Sequence, residues 1–142
     1  MDFVSNSTHV WVASTFDSDS FYATSILQGS ILQNGSVRWE YGYNLLDDDV
    51  INSMLQDGEK MWVTTAGRGL YSIDLVQRSY SPSAPALHGQ MDGMILDSDD
   101  GMLYVGLMGN QGSAAGFQTF DTSTNSWGDG SLLAGLPNDI VQ

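Results

Sequence analysis

Short apolar runs alternate with clusters of Asp, Asn, Ser and Gly along the whole chain. The clearest example is residues 50–74, where three apolar runs flank two turns that contain Gly58 and Gly67. Runs of this length, bounded by residues that favour turns, are typical of β-strands joined by tight connections. No window carries the 3.6-residue periodicity of an amphipathic helix. The pattern therefore predicts an all-β chain of short antiparallel strands.

This pattern recurs along the chain. Trp62-Val63 has counterparts in Trp11-Val12 and Tyr104-Val105, at a spacing of about 40 to 50 residues. In each unit an apolar strand and a polar turn precede this pair, and two further strands follow it. The strand that holds the pair is expected at 9–14, 60–65 and 102–107, and in the first unit a loop at 15–20 follows it. The third strands are expected at 21–27, 69–74 and 116–121, and the fourth at 37–41, 78–80 and 125–127. Four antiparallel strands at this period are typical of a β-propeller blade. We predict a β-propeller segment of three four-stranded blades at residues 1–44, 45–87 and 88–134, with the start of a fourth unit at 135–142. We expect Trp62, Leu70 and Ile73 in the layers between blades.

Residues 46–74 resemble the two-component regulator propeller repeat. The resemblance is carried by Met61-Trp62-Val63-Thr64-Thr65, then by Gly67-Arg68-Gly69-Leu70 and Asp74. The family pattern is Leu-Trp-Val-Gly-Thr, Gly-Gly-Leu and an Asp, so the chain departs from it at Thr64 and Arg68. The resemblance implies a non-catalytic ligand-binding or sensing module. It also implies an extracytoplasmic location, periplasmic or secreted, in a protein attached to a membrane histidine kinase.

Composition narrows the classes of partner. Seventeen acidic residues face four basic ones, which gives a formal net charge of −13. This charge repels nucleic acids and anionic membranes, and no apolar window approaches the roughly 18 residues of a membrane span. The chain has no cysteine, so disulfides and thiolate metal sites are excluded. We therefore expect no nucleic-acid partner and no membrane insertion by this chain.

The two ends predict an incomplete propeller. Residues 135–142 resemble the opening of a further repeat, and the chain begins inside the first strand of a unit. Propellers close with about four to eight blades, whereas three units leave sheet faces uncovered. Two interpretations stay open, a fragment of a longer propeller or a homo-oligomer. For the oligomer, the dimer with six blades is the favoured form.

One segment resembles a metal-binding loop. Asp97, Asp99 and Asp100 place carboxylates in the alternating pattern of a calcium loop, followed by Gly101. A calcium loop of the EF-hand type also needs a bidentate Glu at its twelfth position, where this chain has Met108. A plain hairpin turn is the favoured interpretation, with adventitious calcium at Asp97 and Asp99 as the alternative. No metal or cofactor is expected otherwise.

No catalytic motif is present. His9 and His88 have no Ser or Cys at a recognisable motif spacing, and phosphate-loop and nucleophile-elbow patterns are missing. A non-catalytic role is therefore favoured. Two alternatives remain: a propeller domain of a secreted polysaccharide-active lyase or hydrolase, and a structural repeat of a surface protein.

Two insertions give the candidate binding site. Residues 15–20 and 108–115 both follow the aromatic-Val strand, which places them on one face of the propeller. The expected ligand-binding residues are Phe16, Asp17, Asp19, Asn110 and Gln111, for a carbohydrate or small-molecule ligand.

A second group of residues has an ambiguous role. Four aromatic residues lie in or beside the predicted fourth strands of the first and third units: Trp39, Tyr41, Tyr43 and Trp127. They form either a carbohydrate-stacking surface or, as favoured here, a cover for the outer rim of the blades.

Overall fold

Twelve β-strands make up the described part of the chain. The computed structural model describes residues 2–18, 21–47, 50–66, 69–83, 90–97, 100–108 and 116–128, and these residues contain no helix. The strands are β1 (Asp2–Ser5), β2 (His9–Ser18), β3 (Phe21–Ile31), β4 (Val37–Asp47), β5 (Ile51–Asp57), β6 (Lys60–Thr65), β7 (Leu70–Asp74), β8 (Ser79–Pro82), β9 (Gln90–Asp97), β10 (Met102–Met108), β11 (Gly116–Asp121) and β12 (Ser126–Trp127). Within these ranges, no helical segment has the length and hydropathy needed to span a lipid bilayer.

The strands form three separate four-stranded sheets. Their orders are β1-β2-β3-β4, β5-β6-β7-β8 and β9-β10-β11-β12, so each sheet follows the chain from one edge to the other. Every pairing is antiparallel. Tight turns join neighbouring strands, and Gly58 and Gly101 adopt the positive φ angles of 57° and 71° that such turns require. The prediction of an all-β segment with three antiparallel, blade-like sheets is confirmed.

The second sheet packs between the other two, and one hydrophobic cluster fills each interface. The first cluster joins the first and second sheets and contains Trp11, Ala13, Ile26, Ile51, Met54, Met61, Val63, Tyr71 and Ile73. The other cluster joins the second and third sheets and contains Trp62, Leu70, Leu103, Val105 and Phe120. The expected position of Trp62, Leu70 and Ile73 in these layers is confirmed.

Strand β6 is buried on both faces. Met61 and Val63 lie in the first cluster, whereas Trp62 lies in the second, where its ring meets Phe120 edge-on at a centroid distance of 5.4 Å. Successive side chains of a strand point to opposite faces, and here each face has a sheet to cover it. This explains why Met61, Trp62 and Val63 form a continuous apolar run rather than an alternating pattern.

The first sheet is longer than the sequence predicts. Residues 15–20 were expected to form a loop, but β2 continues to Ser18 and β3 begins at Phe21. Strand β4 was expected to end near residue 41 but continues to Asp47, so it includes residues assigned to the second unit. The physical reason is the hydrogen-bonded pairing of β3 with β2 and β4, because cross-strand pairing overrides the weak strand preference of Asp and Ser.

Equivalent turns of the first two sheets lie at the same edge. The side-chain amide of Asn6, in the β1–β2 turn, donates to Gln56 Oε1 beside the β5–β6 turn at 3.4 Å. Since each sheet is a meander, β2 and β6 both run from this edge towards the opposite one. The third sheet has the same strand order, and β10 is its equivalent strand.

Candidate functional site

The first sheet extends beyond the other two on the side of the β2–β3 connection. Strand β2 has 10 residues and β6 has 6, a difference of about 13 Å of strand length. We name this part the first-sheet extension and define it as residues 14–18 of β2, 21–25 of β3 and 43–47 of β4. In the extension, β3 pairs with β2 over residues 21–25 and with β4 over residues 23–25, with a register shift between Thr24 and Ser25.

Two of the sequence-predicted binding residues lie in this extension. The backbone of Phe16 pairs with Ala23, and the backbone of Asp17 pairs with Tyr22. They occupy strand positions, and the loop expected for residues 15–20 is wrong for 15–18. Asp19, Asn110 and Gln111 lie outside the described residues. The structure therefore places Phe16 and Asp17, which are neighbours in the chain, on strand β2, and the binding role of all five residues stays a prediction.

Sequence reasoning predicted a third strand at 21–27 but missed the pairing of its first residues with residues 15–18. Residues 21–24 were treated as the start of an ordinary third strand, whereas they pair with the residues expected in the loop. A signal was present, because Thr15-Phe16 and Phe21-Tyr22 place β-branched and aromatic residues on either side of the polar stretch 17–20. Two runs of this composition around a short polar segment are typical of a β-hairpin.

Aromatic residues occupy one equivalent position in all three fourth strands. By register, Trp39 pairs with Gly29, Tyr80 with Ile73 and Trp127 with Phe120. The Trp127 ring packs edge-on against Phe120 at a centroid distance of 5.0 Å and is half-buried. Trp127 therefore covers the rim of the second cluster, as favoured from the sequence.

Trp39 has a different environment. It is exposed, and its indole lies across Gly29, where a Cβ would approach Trp39 Cε3 to 3.0 Å and Val37 Cγ1 to 2.5 Å. Glycine at position 29 therefore provides the space in which these two side chains pack against the backbone. The side chains of Tyr41 and Tyr43 lie outside the description, so their stacking role stays a prediction.

Acidic residues at strand ends accept hydrogen bonds from the backbone of the turns that follow them. Asp74 Oδ1 accepts from the backbone N–H of Val76 at 2.9 Å and of Gln77 at 2.7 Å. Asp121 makes the equivalent contacts, and hydrogen bonds from the Ser123 side chain and from the Ser123 and Thr124 backbones lower the pKa of its carboxyl from 3.8 to about 2. These carboxylates stabilise tight turns, which accounts for part of the acidic composition.

Basic side chains are few, and one of them pairs on the outer strand of the first sheet. Arg38 Nη2 donates to Glu40 Oε1 at 2.8 Å, and this hydrogen bond is the largest cause that lowers the pKa of the Glu40 carboxyl. Both groups are solvent-accessible, so the pair contributes little to stability.

In the acidic segment 97–101, the described residues support the hairpin turn that is favoured from the sequence. Asp100 Oδ1 accepts from the backbone N–H of Met102 at 2.9 Å, and Gly101 closes the turn. Asp97 ends β9, and Asp99 lies outside the described residues. In the described part of the chain, no three His, Cys, Asp or Glu side chains are grouped closely enough to hold a metal ion. The calcium alternative at Asp97 and Asp99 stays a prediction.

The two sheet interfaces differ in how they satisfy buried polar atoms. Between the first and second sheets, Trp11 Nε1 donates to Gln28 Oε1 at 3.2 Å. In the part of the chain that the structure describes, Trp62 Nε1, Ser83 Oγ and both amide atoms of Gln118 are buried without a hydrogen-bond partner. The register turns Trp62 and Gln118 toward the interface between the second and third sheets. Buried polar atoms without partners destabilise a fold. Among the described residues, more such atoms lie at this interface than at the other.

Known proteins give no further guide to the role of these surfaces. No model of a known protein family matches this chain, and no curated protein matches it.

Proposed function

We propose that the chain is a non-catalytic ligand-binding module in which the first-sheet extension carries the recognition surface. The observation behind this proposal is the extension itself, a paired three-stranded ribbon that exceeds the equivalent strands of the second sheet. Extra backbone at one edge of a packed scaffold adds little to the core, and recognition residues are commonly placed there.

The scaffold favours binding because the extension continues strands that are anchored in the core. The same β2 and β3 strands that form the extension also carry Trp11, Ala13 and Ile26 into the first hydrophobic cluster. Sites built on strands that continue into a core are positioned more accurately than sites on isolated loops. A ligand that contacts Phe16 or Asp17 therefore meets a preorganised surface, which lowers the entropic cost of binding.

Charge favours neutral or cationic ligands. The net charge of −13 repels anionic ligands at long range, and this repulsion weakens as ionic strength rises. Carbohydrates and small polar molecules are the ligand classes that fit both this charge and the aromatic residues of the extension.

The biological setting we propose is the extracytoplasmic sensor region of a two-component regulator. Its support is the resemblance of residues 46–74 to that family's propeller repeat, which coincides with the well-packed second sheet. In that setting a ligand on the extension is the input to the attached protein.

A shortened hairpin tests the proposed function. Residues 15–25 are replaced by Ala-Gly-Arg-Gly, the sequence that connects β6 to β7 at residues 66–69. We expect the original chain to bind members of a glycan array or a panel of small polar molecules, and the shortened chain to lose that binding. Val76→Ser, in the exposed β7–β8 turn, is the control that should keep it.

Two outcomes would contradict the proposal. Equal binding by the original and shortened chains would place recognition elsewhere. Cleavage of a bound polysaccharide, seen by mass spectrometry of the ligand, would favour the lyase or hydrolase alternative instead.

A further inference from the structure

The first sheet packs one face against the second sheet, and the second sheet packs the corresponding face against the third. We name this the forward face, and the three sheets carry equivalent residues on it. The first sheet contributes Trp11, Ala13 and Ile26, and the second contributes Trp62, Thr64 and Leu70, all of them buried. The register gives Tyr104, Gly106 and Phe117 as the forward face of the third sheet. All three forward faces therefore combine an aromatic residue, a small residue and a large apolar residue in one arrangement.

The opposite, backward face is equally regular. The second sheet contributes Met61, Val63 and Tyr71, and the third contributes Leu103, Val105 and Gln118, all of them buried. The equivalent residues of the first sheet are Val10, Val12 and Leu27. Both interfaces of the molecule are thus made the same way, with a forward face packed on a backward face.

Among the residues that the structure describes, one face of each type has no sheet packed against it. Leu27 is 39% exposed, whereas its equivalents Tyr71 and Gln118 are 8% and 5% exposed. Tyr104 and Phe117 are half-buried, whereas their equivalents in the other two sheets are fully buried. The uncovered surfaces are the two halves of the interface that the molecule already forms twice.

We propose that a second copy of this chain covers these faces, with the forward face of its third sheet packed on the backward face of the first sheet. A second copy is the expected partner because the uncovered faces repeat the two halves of the existing interfaces. In particular, Tyr104 and Phe117 occupy the register positions of Trp62 and Leu70 in the second sheet. This contact joins two different surfaces and is therefore head-to-tail. The inference concerns assembly and does not depend on the proposed ligand-binding role.

A head-to-tail contact made twice closes a ring. Two copies bring six sheets together, within the range of about four to eight blades in which propellers close. Closure also removes the exposed apolar area around Leu27, which a solitary molecule leaves in water. The assembly inferred here is therefore a closed dimer and not an open chain of copies.

Mass measurement at micromolar concentration is the first test, by light scattering after size-exclusion chromatography. We expect twice the chain mass of 15.4 kDa. Leu27→Asp and Tyr104→Asp should each raise the dimer dissociation constant by about tenfold or more, because a charge then enters an apolar contact. Val76→Asp makes a similar change on an exposed turn outside both faces, and it should leave the dimer intact.

Mixing the two variants distinguishes head-to-tail contact from other modes. The Leu27→Asp chain keeps its forward face and the Tyr104→Asp chain keeps its backward face, so one intact interface forms between them. With one chain isotopically labelled, native mass spectrometry should show mixed dimers exceeding both self-dimers. Reassembly also shows that both variants are folded, and circular dichroism of each provides a second check.

Three results would overturn the inference. The first is a monomer of the unchanged chain at micromolar concentration, which leaves the faces to another partner. The second is loss of the dimer in Leu27→Asp but not in Tyr104→Asp, which indicates contact between like faces. The third is a mixture that stays monomeric although both variants are folded.

Discussion

Two buried glutamines, one at each sheet interface, should respond in opposite directions to the same substitution. Gln28 and Gln118 both lie on third strands, both face a sheet interface, and they are 9% and 5% exposed. Gln28 Oε1 accepts from the indole of Trp11, whereas neither amide atom of Gln118 has a partner in the described part of the chain. We predict that Gln28→Leu lowers the free energy of unfolding and that Gln118→Leu raises it.

The magnitudes follow from the cost of burying a polar atom without a partner. Gln28→Leu leaves the indole N–H of Trp11, a buried residue, without its acceptor, which costs about 1 to 3 kcal/mol. Gln118→Leu removes two such atoms and replaces them with methyl groups of similar volume, so a gain of about 1 to 3 kcal/mol is expected. Each kcal/mol corresponds to a change in Tm of about 3 °C for a domain of this size.

Urea unfolding of the unchanged chain, Gln28→Leu and Gln118→Leu at one protein concentration measures both changes in the free energy of unfolding. Equal concentration matters because assembly changes apparent stability by mass action. The reasoning is refuted if Gln118→Leu lowers the free energy of unfolding by more than about 1 kcal/mol, since its amide must then make bonds that the substitution removes.

Two further predictions concern the turns and the rim. Asp121→Asn should destabilise the fold at neutral pH, and the difference from the unchanged chain should shrink as pH falls from about 4 towards 2. The folded-state pKa of about 2 lies below the ordinary 3.8, so the carboxylate stabilises the fold above 3.8 and loses this effect as it is protonated; a difference that is constant with pH would contradict this cause. Trp127→Ala should lower the free energy of unfolding by about 2 kcal/mol through loss of its edge contact with Phe120. Tyr80→Ala, at the equivalent but more exposed position, should cost less than about 1 kcal/mol, and equal losses would argue against a rim-covering role for Trp127.

The sequence predicts the exact bounds of those strands whose flanking turns carry clear Gly or Asp signals. The bounds of β6 (Lys60–Thr65) and of β11 (Gly116–Asp121) agree with the structure. The turn before β6 contains Gly58, and β11 ends at the Asp121 carboxylate that caps the following turn. These local signals agree with the packing, so local and tertiary information predict the same boundaries.

The first-sheet extension was not predictable in the same way. Residues 17–20 read Asp-Ser-Asp-Ser, a composition that favours turns, yet the backbone of Asp17 and Ser18 is paired with Tyr22 and Phe21. Their strand conformation depends on β3, which is held in turn by β4. Pairing of this kind depends on three segments at once, so the strand propensity of one segment alone does not predict it.

The candidate site was predicted in part for a related reason. Equivalent placement after the second strand located Phe16 and Asp17 at the edge of the sheet where their backbone lies, because the repeat fixes the order of strands. Which side chains meet a ligand depends on the strand register and on the ligand itself. Neither is encoded in the spacing of residues along the chain.

The position of β6 has a consequence for how the molecule opens. Its backbone is paired with β5 on one side and β7 on the other, and its two faces are covered by the first and third sheets. Amide hydrogens in such a strand exchange with solvent only when neighbouring sheets have separated. Exchange at Met61, Trp62 and Val63 should therefore be slower than in the first and third sheets, whose outer faces are covered only between copies of the chain, so that the molecule opens from those two sheets inward.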